Sequence, residues 1–420
     1  MIPSLSVQRV QRFGHYWLLC QLGYCDMGEM WLASPDDGLD ANELCVIKKP
    51  QPDTFHEPDS IARFLDEIRV TDLLDHPNIS KVLDAGEIDG EPFLALDFVE
   101  GKSLSDINDR LRETGQLFPL PLTIHLGIRV CDALAYAHRL VGPGNRPLQL
   151  VHRNICPDNL LVAYSGGISL IDFGMAYSTL REAQTLLGKR PSQQTAYRSL
   201  EHARNKAVDA RSDIFSLGAV LWELAAGVSP QQTREEMELW LKSGRPRFVS
   251  PSNHRKGVPQ QLDYVLMRAL NNDPRDRQQK ATELQRELQA ILDRLAPGYE
   301  QIADSEMSQF MHDLFGTSFI EERKRTMHAL KSAQAEASVG ADDADGEPFD
   351  DDDVDDDVDD ARGDGEGELP PSQSPPLSKR AGTAVAVIAG NRGLVVGFVL
   401  AFFLSLLVAA ALYLIWTLLS

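Results

Sequence analysis

The chain is poor in cysteine, and the cysteines it has form no pattern. Cys20, Cys25, Cys45, Cys131 and Cys156 are scattered through 420 residues with no CxxC pair. An odd, dispersed set fits a reducing compartment better than a disulfide framework. Positive charge is also scarce, with 41 Lys and Arg against 62 Asp and Glu and a formal net charge of −21. Nothing in this balance suggests attraction to nucleic acid through bulk charge. The deficit is concentrated in residues 341–370, where sixteen Asp and Glu face Arg362 alone. The first residues lack the charged-then-apolar pattern of a secretory leader. Long apolar runs are missing too, with one exception: Leu394 to Leu419 is 26 residues without a charge. At about 1.5 Å per helical residue it is long enough to cross a hydrocarbon core of roughly 30 Å with some tilt. Lys379, Arg380 and Arg392 precede it and only Ser420 follows. The positive-inside rule then predicts a tail anchor, with the large N-terminal region on the cytoplasmic side.

A hydrophobic content of 43% supplies a substantial core, and the length suits one large or two ordinary domains. Residues 1–15 read as a lead-in. From Tyr16 to about Val99 the pattern is strand-like, through Tyr16-Trp17-Leu18-Leu19 and Leu44-Cys45-Val46-Ile47, with one helix at Ile61 to Leu74. From Leu104 to Leu295 helical periodicity dominates, in Ala133–Leu140, Ser216–Ala226 and Leu262–Ala269. A last helix there is capped by Thr282 and runs through Leu284, Leu288, Ile291 and Leu295. The expected fold class is α+β, with a small β-rich lobe followed by a larger helical lobe. Residues 296–337 form a helical extension. Met307, Phe310, Met311, Leu314 and Phe315 make one apolar stripe, with Asp304 or Ser305 as cap and Gly316 as stop. The stripe either packs back on the parent domain or binds a partner. Residues 338–393 read as an acidic, extended linker, and 394–419 as the membrane span. The Asp run is a solvated spacer, with attraction of calcium or a basic partner as the alternative.

The chemistry sits in two phrases: His152-Arg153-Asn154-Ile155-Cys156-Pro157-Asp158-Asn159, then Asp172-Phe173-Gly174. Upstream are Leu22-Gly23-Tyr24-Cys25-Asp26-Met27-Gly28, Cys45-Val46-Ile47-Lys48, Glu67, and His76-Pro77-Asn78-Ile79. Downstream are Ser199-Leu200-Glu201, Asp213-Ile214-Phe215-Ser216-Leu217-Gly218 and Asp273-Pro274-Arg275-Asp276-Arg277. Each fragment alone is weak; two glycines five apart are common in turns. In this order, residues 16–295 resemble a eukaryotic-like serine/threonine protein kinase domain of the kind bacteria also carry. The resemblance implies a two-lobed kinase fold that uses ATP and Mg²⁺. Gly23 and Gly28 would flank the nucleotide phosphates, and Lys48 would pair with those phosphates and with Glu67. Asn159 and Asp172 would supply hard oxygen ligands to Mg²⁺. Glu201 would pair with Arg277, and Asp213 would anchor the loop around Asn154. Read without the resemblance, Lys48 and Glu67 would be ordinary surface charges.

Departures from the family pattern form a set. Cys25 replaces the middle glycine of the phosphate loop. Asn154 stands where the family keeps its aspartate base, and Cys156 where a lysine reaches the γ-phosphate. Gln194 replaces the threonine of the docking turn, with Thr195 one place away. An amide cannot take a proton at neutral pH, and Asp158 sits at a position already acidic in active members, so it is no rescue. Cys25 and Cys156 read as small residues, or alternatively as redox sensors. Ser178, Thr179, Thr185, Ser192 and Thr195 lie in a loop beside Arg153, either as incidental hydroxyls or as sites for another kinase. The expectation is a tail-anchored pseudokinase that binds ATP·Mg²⁺ and serves a client protein or kinase as scaffold or allosteric partner. The alternatives are a slow serine/threonine kinase without the usual base, and a nucleotide-free interaction module.

Overall fold

The computed structural model describes residues 10–25, 28–37, 39–51, 58–176, 196–230 and 248–342. The N-terminal lobe is one antiparallel sheet of six strands in the order β1-β2-β3-β4-β6-β5. The strands are β1 (Gln11–Phe13), β2 (Tyr16–Cys25), β3 (Gly28–Pro35), β4 (Cys45–Lys49), β5 (Val82–Ile88) and β6 (Glu91–Asp97). Alternation gives the sheet two apolar faces. Leu18, Trp31, Ala33, Ile47 and Phe93 pack on one, and Trp17, Leu19 and Leu32 on the other. Helix α1 (Pro58–Thr71) lies against the sheet through Phe64 and Ile68, which meet Leu94.

The strands begin earlier than expected. Gln11–Phe13, inside the predicted lead-in, pairs with Tyr16–Leu18. Phe13 also meets Phe93 edge-on at 5.9 Å, so a three-residue strand too short to show periodicity is held by its hairpin and one ring contact. Conversely, α1 ends at Thr71. Leu74, read as helical, is buried from the turn that follows.

After β6 the chain crosses into the helical lobe through β7 (Gly101–Ser103). There follow α2 (Leu104–Thr114), α3 (Leu120–His138), the small hairpin β8 (Val141–Gly142) and β9 (Arg146–Pro147), and strands β10 (Leu160–Ala163) and β11 (Ile168–Leu170). Helices α4 (Leu200–Ala203), α5 (Ala210–Ala226), α6 (Gln260–Ala269) and α7 (Ala281–Leu295) complete the lobe. Helix α5 is buried on every side from Ser212 to Ala226, as a central helix must be. Asp209 caps its start and Gly227 its end. Close packing of α3, α5 and α7 depends on Gly127, where an added Cβ would lie 2.8 Å from Leu221 and 2.9 Å from Leu288. Thr282 is not a cap. Lys280 holds the extended position before α7 without a side-chain bond, and Glu283 instead accepts the Gln279 N–H at 2.8 Å.

The extension is a single helix, α8 (Ala303–Asp342), 40 residues long. Gly316 does not stop it, and Asp304 and Ser305 fall inside its first turn. A mid-helix glycine costs about 1 kcal/mol. The neighbouring Leu314 and Phe315 are buried, and each such side chain contributes roughly 1.5–3 kcal/mol, so burial wins. Met307, Met311, Leu314 and Phe315 join the core of the helical lobe, and Phe310 packs on Phe118 at 5.0 Å. The stripe thus packs on its parent domain. The helix continues to Asp342, past the expected start of the acidic linker at 338. Among the described residues no helix is long and apolar enough to cross a membrane. The 394–419 span and the linker from 343 onward lie outside the described residues.

Candidate active site

Three elements bring three charges together where the lobes meet. Lys48 comes from β4, Glu67 from α1, and Asp172 from the turn after β11. Lys48 Nζ donates to Glu67 Oε1 at 2.5 Å and to Asp172 Oδ1 at 3.0 Å. Lys48 is 3% exposed and Glu67 2%, which rules out ordinary surface charges. Burial alone would pull the ammonium pKa down, but Asp172, Cys25 and Glu67 outweigh it and hold Lys48 well above the usual lysine value. Burial likewise pushes Asp172 up, yet Lys48 and the Gly174 N–H hold its carboxyl below the ordinary range. Asp172 has left-handed backbone, φ 63, and accepts the Gly174 N–H at 3.3 Å. Phe173 is buried, its ring 4.5 Å from that of His152.

The loop beneath this triad is fixed through its backbone. Asp213, fully buried on α5, accepts the N–H groups of His152 and Arg153, each at 2.9 Å, and lies 2.8 Å from His138 Nε2. His152 Nδ1 accepts the Asn154 N–H at 3.2 Å while Nε2 lies 3.2 Å from the Ile171 carbonyl. That pair fits a neutral ring with its proton on Nε2, and burial lowers the His152 pKa to match.

Asn154 is buried beside Asn159, whose Nδ2 donates to the Asn154 carbonyl at 2.8 Å. The Asn159 amide nitrogen is thus committed, leaving its oxygen as the end a metal would meet. Its backbone carbonyl accepts the Ile171 N–H at 3.0 Å, placing it beside Asp172. An amide oxygen and a carboxylate are a hard-oxygen pair of the kind Mg²⁺ takes alongside phosphate. Cys156 turns inward and is 1% exposed. Burial pushes its thiol up to about 12, so it carries no charge at neutral pH and cannot substitute for a lysine.

The glycine segment forms the β2–β3 hairpin. Gly23 has φ 150 and open space around its missing Cβ, so backbone can approach a ligand there. Gly28 has a different duty: a Cβ on it would lie 2.3 Å from the Lys49 carbonyl, so it is required by the neighbouring strand. Cys25 Sγ lies 3.3 Å from the Gly28 carbonyl and closes the hairpin. Gln194, Thr195 and the hydroxyls at Ser178, Thr179, Thr185 and Ser192 lie outside the described residues.

Farther from the cleft, Arg277 Nη1 and Nη2 bond the two oxygens of Glu201 at 2.7 and 3.0 Å. One site residue was not anticipated. Glu223 on α5 is 5% exposed and accepts the Tyr197 hydroxyl at 2.6 Å, with Arg112 Nη2 4.0 Å away. The signal was a lone carboxylate inside the apolar run of α5. Burial raises its pKa from 4.5 to about 7, against the opposing pull of Tyr197. A carboxyl raised on folding binds more protons in the folded state, so stability falls as pH rises from about 4.5 to about 7. Glu223→Gln is expected to flatten melting temperature across that window; a slope identical to the parent's would count against this assignment.

Comparison with known proteins agrees with this geometry. Residues 17–288 match the family model for protein tyrosine and serine/threonine kinase. The tyrosine-protein kinase MasK of Myxococcus xanthus is 30% identical over 342 residues, covering 80% of this chain and 52% of MasK. The serine/threonine-protein kinase PrkC of Bacillus subtilis is 29% identical over 284 residues, covering 67% of this chain and 41% of PrkC. The chain thus spans about half or less of these relatives. Among solved structures, the Mycobacterium tuberculosis PknI kinase domain superposes with a TM-score of 0.51 at 26% identity, over 69% of this chain and 99% of that one. The curled sheet, the helical lobe and the Lys48–Glu67–Asp172 triad between them are therefore those of a kinase domain, and the chain belongs to the protein tyrosine and serine/threonine kinase family.

Proposed function

We propose that this protein is an ATP-binding pseudokinase, held at a membrane by residues 394–419, that regulates a client protein or kinase through its shape. The observation that carries this reading is a contrast within one cleft. The nucleotide-side groups Lys48, Glu67, Asp172 and Asn159 are assembled, while the transfer-side positions hold Asn154 and a buried, neutral Cys156. Bound ATP·Mg²⁺ would supply the γ-phosphoryl group and the charge neutralisation on which phosphoryl transfer depends. Lys48 is oriented by Glu67 to meet phosphate oxygens, and Asp172 with Asn159 would hold the metal. Asn154 can orient a hydroxyl through its amide oxygen, but it cannot accept the proton.

A second reading, a slow kinase, is favoured by the intact anchoring of the loop on Asp213, since positioning alone contributes to phosphoryl transfer. The relatives include enzymes named for tyrosine and for serine/threonine, so both acceptor types belong in the assay. The test is γ-phosphate transfer by the parent beside Lys48→Met, together with thermal stabilisation by ATP·Mg²⁺. A ligand at 100 times its Kd should stabilise the parent by about 2.7 kcal/mol and Lys48→Met not at all. Absence of any shift at millimolar nucleotide would sink the ATP-binding reading. Transfer by the parent that vanishes in Lys48→Met would replace the pseudokinase reading with the slow kinase.

A further inference from the structure

The long helix α8 does more than extend the helical lobe. At about 1.5 Å per residue its 40 residues reach roughly 60 Å, and they touch both lobes and the crossing between them. Its foot is Met307, Met311, Leu314 and Phe315, sunk in the core of the helical lobe. At its middle, Glu322 pairs with Lys102 of β7, a buried lysine whose ammonium also lies 5.8 Å from the Phe315 ring centroid. Its head is Leu330 and Ala333, 2% and 0% exposed, against Trp17, Leu19 and Leu32 on the sheet. Gln334 Nε2 adds a bond to the Leu39 carbonyl at 3.0 Å.

Two of the partly buried residues at the head matter for the cleft. Leu22 directly precedes Gly23 on the phosphate-side strand, and Phe98 directly follows β6 at the crossing. The cluster that receives the helix head therefore reaches both the phosphate-side strand and the crossing between the lobes. Its attachments are unequal. The foot buries four large side chains, whereas the head buries Leu330 and three alanines, Ala333 fully and Ala329 and Ala337 in part, and apolar burial scales with area. We infer that α8 is an interlobe strut, permanently seated at its foot and releasable at its head, and that release of the head unlocks the hinge and the glycine strand. The switch acts on the cleft assigned above, but its mechanical part does not depend on nucleotide.

Hydrogen exchange on the 420-residue chain, purified in detergent, tests the strut in two ways. In the unaltered protein, residues 325–338 are expected to open at lower denaturant than residues 303–316. Opening of both segments as one unit would overturn a separately releasable head. In Ala333→Glu, which forces a charge into the head contact, exchange in 16–22 and 96–103 is expected to rise at least tenfold, with 303–316 and α5 unchanged. The milder pair Leu330→Ala with Gln334→Ala serves if that variant fails to fold. Exchange in 16–22 and 96–103 that stays within twofold of the parent, while 325–338 is released, would overturn the proposal. Binding of a fluorescent ATP analogue is expected to change at least fivefold in the same variants. A parent that binds no analogue removes the ATP-binding reading alone, because the exchange measurements still decide the strut.

Discussion

Asn154→Asp is expected to raise γ-phosphate transfer by about 10²- to 10⁴-fold, the usual contribution of a positioned acid–base group. The exchange is isosteric, and the backbone at this point is held independently of the side chain. The Asn154 N–H is taken by His152 and its carbonyl by Asn159, so a carboxylate would arrive in a prepared position. The triad on the nucleotide side is already closed. The gain should vanish when Lys48→Met is added. An Asn154→Asp protein that binds ATP·Mg²⁺ yet transfers no faster than the parent would mean that the missing cation at Cys156 sets the rate. Cys156→Lys is the harder repair, because the thiol is buried and overpacking typically costs 1–3 kcal/mol.

The largest effect on stability is expected from Arg277→Met. The guanidinium is fully buried and all five of its N–H donors are engaged. Nε bonds the Asn271 carbonyl at 2.7 Å. Nη1 bonds Glu201 at 2.7 Å and the Arg211 carbonyl at 3.0 Å, and Nη2 bonds Glu201 at 3.0 Å and the Asn272 carbonyl at 3.3 Å. The plane also lies over Phe215 at 4.9 Å. Removing one partner of a buried pair costs about 3–5 kcal/mol, because the other charge remains, and thermal melting should fall by roughly 10 °C. Burial would raise the Glu201 pKa, but the Arg277 bonds overcome it and hold the carboxyl low. A depressed folded pKa gives stability that is present above the unfolded value and lost as pH falls through the folded one. Arg277→Met should therefore also lose part of the parent's acid-induced destabilisation. Melting within 2 °C of the parent, by calorimetry, would show the pair to be dispensable.

Much of the site was legible because its residues come in a fixed order along the chain. Lys48, Glu67, Asn154, Asn159, Asp172, Asp213, Glu201 and Arg277 each stand in a short phrase, and the structure brings them together in two clusters. What escaped the sequence depends on contacts between distant segments. Gln11–Phe13 is a strand only because Tyr16–Leu18 and Phe93 receive it. Gly28 reads as a phosphate glycine, but its packing demand comes from the Lys49 carbonyl. Gly316 reads as a stop until the buried residues around it are counted, and Glu223 reads as one more helix former until its burial is seen.

The clasp of Asp213 on the loop carries a consequence for how this chain changes over generations. It grips main-chain N–H groups, which every residue except proline offers. The loop therefore keeps these bonds when the buried Asn154 is exchanged for the isosteric aspartate. A single base of the codon separates asparagine from aspartate. The main-chain clasp serves either residue at 154.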